Sequence, residues 1–171
     1  MLIRKGKCIR GREIGDLAGE LREGDILFKG ANTVNLHDRE AAVLIGHSQG
    51  GTMMPVIAAV IGRRVRLMVP VGVEKRVESR IGELALLTNA PGMQGLRLCP
   101  IPGQVYTELD AIHTLTGLDA QLLAAGGVSG AEGGVFFTVR GNPDAMDHLR
   151  GLVEQIETEP AYMPQIPLSA Q

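Results

Sequence analysis

Residues 41–71 read AAVLIGHSQGGTMMPVIAAVIGRRVRLMVPV. Residues 41–45 are an apolar run of strand length, 46–51 a glycine-rich loop, 52–61 an amphipathic helix and 66–71 a second buried strand. Strand, glycine-rich loop, helix and strand in that order are the signature of a βαβ unit. The loop is then expected at the carboxyl end of a parallel strand. Backbone amides and a helix N-terminus converge there, and open α/β sheets bind their ligands there.

Upstream, residues 12–23 carry Ile14, Leu17, Ala18 and Leu21 at helical spacing, with Glu13, Asp16, Glu20 and Glu23 opposite, and Gly24 is positioned to end the helix. Residues 25–29 form a short strand running into a polar loop at 30–35, rich in turn formers. If the strands are parallel members of one sheet, the loops at 30–35, 46–51 and 72–75 meet at one edge. A second helix is expected over 77–88. The tetrapeptide Asn89-Ala90-Pro91-Gly92 is the strongest turn signal and the expected domain boundary.

Downstream the rhythm changes to strand 96–101, helix 106–116, strand 120–125, loop 126–134, strand 135–139 and helix 144–157. That βαββα order is the ferredoxin-like pattern. The expected fold is therefore α/β. A Rossmann-like parallel βα layer over 1–92 binds the ligand, a ferredoxin-like α+β half covers 93–158, and 159–171, with three prolines, is an irregular tail. A sheet with helices on one face only must bury the other against the first domain or against another copy of the chain, and a homo-oligomer of closed symmetry is expected, with the loop 126–134 beside the ligand loop, closing over the ligand, or at the subunit boundary.

Composition narrows the function. Of 171 residues, 44% are hydrophobic and 21% charged, as in an ordinary soluble protein. A net charge of −2 gives no basic excess for nucleic acid, and no apolar run approaches the roughly 20 residues of a membrane span. The basic start is not followed by a signal-like apolar segment, so a cytoplasmic location is expected. Cys8 and Cys99 are far apart without metal-like spacing and read as reduced structural thiols. Neither a metal nor a cofactor is expected.

The loop supports two chemistries. Gly46-His47-Ser48-Gln49-Gly50 matches the G-x-S-x-G nucleophile elbow, and the resemblance to α/β-hydrolases would make Ser48 the nucleophile. Three features depart from that family. No His-Gly oxyanion segment precedes the motif. The acid and histidine candidates, Asp110 with His113 and Asp144 or Asp147 with His148, fall in or near helices of the second half. The elbow would also put Pro55 inside a helix at about 3 kcal/mol, whereas a helix starting at Thr52, with Thr52 as N-cap, places Pro55 harmlessly in the first turn.

The segments DILFKGANTVN and AAVLIGHSQGGTMMPVIAAVIGRRVRLMVPVG, roughly residues 21–75, also resemble the sugar-phosphate isomerase and CoA-transferase-like superfamily that includes ribose-5-phosphate isomerase. The matching positions are Gly30-Ala31-Asn32 and Gly50-Gly51-Thr52. The resemblance implies a phosphate site at Gly50, Gly51 and Thr52. Asn32 stands where several members carry a catalytic aspartate, and an amide cannot act as a general base. The leading expectation is a small phosphorylated metabolite or nucleotide bound through Lys29, Gly30, Asn32, Asn35, Gly46, His47, Ser48, Gly50, Gly51 and Thr52. A serine hydrolase and a non-catalytic regulatory or assembly domain are the alternatives.

Overall fold

The computed structural model describes residues 2–9 and 11–160. The elements are β1 (Leu2–Arg4), β2 (Lys7–Ile9), α1 (Ile14–Glu20), β3 (Ile26–Phe28), β4 (Thr33–Asn35), β5 (Glu40–Ile45) and α2 (Met53–Arg63). There follow β6 (Arg66–Pro70), a 3-10 turn (Val73–Lys75), α3 (Ile81–Thr88), β7 (Arg97–Pro100), β8 (Gln104–Tyr106), α4 (Glu108–Thr116), β9 (Asp119–Ala125), β10 (Val135–Arg140) and α5 (Pro143–Glu157). The fold is mixed α/β. Of the expected irregular tail, 161–171 lie outside the described residues, as does the side chain of Cys8.

A parallel sheet β3-β6-β8 faces an antiparallel sheet β4-β5-β7. The apolar run of β5 follows from the covering of both its faces. Ala41, Val43 and Ile45 join Val34, Met53, Val56, Leu67, Val69 and Val105 in the main core between the sheets. On the other face, Ala42 packs with Ile81 and Ala85 of α3 and with Leu98 of β7. Each such aliphatic side chain, fully buried, contributes about 1.5–3 kcal/mol. Leu44, on the same face as Ala42, is exposed.

Two expectations are corrected here. The strands flanking α2 do not share a sheet, because both edges of β5 are already taken. Residues 33–35 of the expected loop are strand β4, which turns back tightly through Arg39 at φ +57° to pair with β5 on one side, and β7 pairs on the other. β6 pairs instead with β3 and β8. Nor do the sheets divide at Gly92, since β7 and β8, both beyond it, complete the sheets begun by β5 and β6. That leaves β9 and β10 as a two-stranded antiparallel ribbon rather than part of a three-stranded ferredoxin-like sheet, with α4 against β9 and α5 against α4.

Local signals place the helices well. Thr107 and Asp110 form a reciprocal capping box on α4, and Gly117 ends it in the left-handed region. Asn142 caps α5 through Ala145 N–H, with Pro143 in the first turn. α1 ends at Glu20, four residues before Gly24. None of the described helices is long and apolar enough to cross a membrane.

Candidate functional site

The loop between β5 and α2 is built by two glycines and an arginine. Gly50 and Gly51 take φ of +77° and +53°, a left-handed pair that turns the chain from strand direction into helix. Arg97 of β7 holds the start of the loop, its Nη2 donating to Gly46 O at 2.6 Å and its Nε to Ile45 O at 3.4 Å. Gln49 N donates to His47 Nδ1 at 3.2 Å, and Gly50 N to His47 O at 3.0 Å. The amide of Gly50 is therefore spent within the loop. The amides of Gly51 and Thr52 have no partner among the described residues, and the side chains of His47, Ser48 and Thr52 are exposed.

Thr52 stands at the N-cap position but makes no side-chain cap bond. Its backbone is already helical, at φ −68° and ψ −13°, whereas a capping side chain needs extended backbone to reach back over the first turn. Pro55 is the third residue of α2, in the first turn, where no amide donor is missed. With no acidic residue in that turn, the helix end keeps its partial positive charge.

A cleft of about 280 Å³ opens beside the loop, with His47, Ser48, Asn89 and Arg97 as polar lining and Met54, Leu98 and Pro100 in its apolar wall. Cys99 also lines it, and burial pushes its thiol above the ordinary value, so it stays protonated. Arg97 is the residue that sequence reasoning missed. Its signal was a lone guanidinium inside the apolar run of residues 96–101.

The other expected site residues divide. Asn32 is brought beside the loop, its N–H donating to Ala42 O at 2.9 Å and its Oδ1 accepting from Leu44 N at 3.0 Å, so its carbonyl oxygen is occupied in holding β5. Gly30 precedes it at the carboxyl end of β3. Lys29 directs its Nζ to Gly30 O at 3.5 Å. Asn35 lies at the far end of the β4–β5 pair, opposite Glu40, roughly 17 Å of strand from Ile45. It is buried, donates to the Glu78 and Ser79 carbonyls at 3.0 and 3.2 Å, and accepts from Asp38 N at 2.8 Å. Those bonds use Asn35 to tie the hairpin to residues 78–79 and take it out of the ligand group. The larger open depression at that end, about 690 Å³, is lined by Asp38, Glu40, Arg80 and Glu83, a mostly acidic set that repels phosphate.

The nucleophile geometry is absent at Ser48. Its φ is not in the left-handed region, the strain of the turn falling on Gly50 and Gly51, and no histidine or carboxylate bonds its hydroxyl among the described residues. No cluster of three His, Cys, Asp or Glu suited to a metal occurs among the described residues. No protein-family model matches the chain, and no curated protein and no solved structure is detectably similar to it.

Proposed function

We propose that the protein binds a small phosphorylated metabolite or nucleotide at the loop 46–52 and the N-terminus of α2. The observation that carries this reading is the set of unspent donors. The amides of Gly51 and Thr52 lie at an uncapped helix start without a local carboxylate, beside three exposed polar side chains. Arg97 adds a fixed positive charge at the base of the loop.

The resemblance to sugar-phosphate isomerases supports the same ligand class without their reaction, because Asn32 supplies no base and its carbonyl oxygen is held by Leu44 N. In this reading β3, β6 and β8 act as a reduced Rossmann-like layer, and the protein works in the cytoplasm.

Calorimetric titration with inorganic phosphate, ribose 5-phosphate and AMP, against ribose and adenosine, tests the proposal. Binding is expected for the phosphorylated compounds alone, and Gly51→Val should weaken it by blocking close approach. No heat from any phosphorylated compound at millimolar concentration would overturn the reading.

A further inference from the structure

The strand edges of this protein are guarded at all but a few places. At β7, the amide side chain of Asn89 occupies the outer edge, donating to Leu98 O at 2.8 Å and accepting from Leu98 N at 3.0 Å. At β8, Arg39 takes the Val105 carbonyl at 2.8 Å. The outer edge of β4 receives Val77 N–H at Val34 O, at 2.9 Å. β9 is broken by a bulge, because Phe136 faces Ala124 and Phe137 faces Leu122, leaving Leu123 unpaired. β3 is only three residues long. β10 differs from all of these. It is six continuous residues, VFFTVR, without proline, glycine or lysine, and among the described residues it pairs only with β9. A long unguarded edge of this kind is a template for another strand.

We propose that β10 is the seam of a symmetric dimer, in which the second copy lays its own residues 136–140 antiparallel along this edge with Thr138 facing Thr138. The strand is self-complementary in that register. Side chains alternate across β10, so Phe136, Thr138 and Arg140 share one face and Phe137 and Val139 the other. A two-fold axis at Thr138, perpendicular to the sheet, keeps each face on its own side. It sets Phe136 of each copy against Arg140 of the other, a ring under a guanidinium, and Phe137 against Val139, an aromatic against a β-branched residue. Phe136 is 57% exposed in the single chain, so the pairing gives it the cover it lacks. The two-fold uses up the open edge of β10 in both copies, so the assembly closes at two.

The full-length protein is tested by light scattering and amide exchange. The wild type is expected at twice 18.2 kDa at micromolar concentration, with the β10 amides protected. Phe136→Lys sets lysine against Arg140 and should raise the dimer dissociation constant about tenfold or more, with circular dichroism unchanged. Phe136→Glu sets a carboxylate against the same arginine and should hold that constant within about threefold of wild type. Phe28→Lys, on the exposed β3, should leave the dimer intact. A monomeric wild type, a larger assembly, equal loss in the Lys and Glu variants at position 136, or loss in Phe28→Lys instead would each overturn the proposal. If Phe136→Lys does not fold, β10 amides in the wild type that exchange as fast as those of an open edge overturn it independently.

Discussion

Arg39 and Asp110 lie 71 positions apart in the chain and meet at 2.7 Å, the guanidinium Nη2 on the carboxylate Oδ2. The arginine sits in the left-handed turn of the β4–β5 hairpin, and the same nitrogen reaches Val105 O at 2.8 Å. The aspartate is the third residue of α4 and accepts from both the N–H and the hydroxyl of Thr107, each at 2.7 Å. One carboxylate thus caps a helix and fastens the hairpin of one sheet to the end of the other.

This bond makes stability fall in acid. Burial raises the Asp110 carboxyl pKa, but the bonds from Arg39 and Thr107 outweigh it and hold the group below its ordinary 3.8. A lowered folded-state pKa means stabilisation that is present above 3.8 and is lost as pH falls through the folded value. Asp110→Asn is expected to cost about 1 kcal/mol at neutral pH, the size of a lost cap. In urea melts across the acid range its deficit should shrink to nothing below the folded-state pKa. A pH-independent deficit would place the effect in packing instead.

Two glycines should respond to alanine with opposite signs. A Cβ on Gly103 would stand 2.7 Å from Leu67 Cγ and Val69 Cγ2, side chains held in the core, so Gly103→Ala should destabilise by about 1–3 kcal/mol. Gly151 lies within α5 with open space around its missing Cβ, so Gly151→Ala should stabilise by about 0.5–1 kcal/mol. Thermal melts of the two variants check both signs.

Ser48 should be chemically silent. Without a bonded base or a strained backbone it has no route to an activated hydroxyl, so a fluorophosphonate probe is expected to leave the wild type unlabelled. Mass spectrometry of the treated protein decides. An adduct on Ser48 that disappears in Ser48→Ala would install the hydrolase reading.

Arg97→Lys should loosen the loop without unfolding the sheet. A single ammonium cannot reproduce the fork that reaches both Ile45 O and Gly46 O. Amide exchange over 46–52 should rise severalfold, and phosphate affinity should drop with it, while exchange in β5 stays near wild type. Unchanged exchange in the loop would mean that its shape comes from Gly50 and Gly51 alone.

The sequence by itself determined what depends on neighbours a few residues away. Pro55 fixed the start of α2 to within its first turn, since a missing amide acts within one helical turn, and the helices expected over 106–116 and 144–157 begin within two residues of α4 and α5. Alternation and run length likewise placed β9 and β10 to within a residue. The partner of each buried strand was decided only by the tertiary structure. An apolar run buried on both faces carries no mark of which strand lies beside it, so β5 read as a neighbour of β6 until β4 and β7 were seen on its two edges. Asn35 and Asn32 were misleading in the same way. Exposed amides in a loop and amides satisfied by distant main chain have the same local sequence, and the carbonyls that bind Asn35, at residues 78 and 79, reach it only through folding. Arg97, apart in sequence from every loop residue, joins the site for that same reason: β7 runs antiparallel to β5, and its first residue arrives where the last residue of β5 turns into the loop.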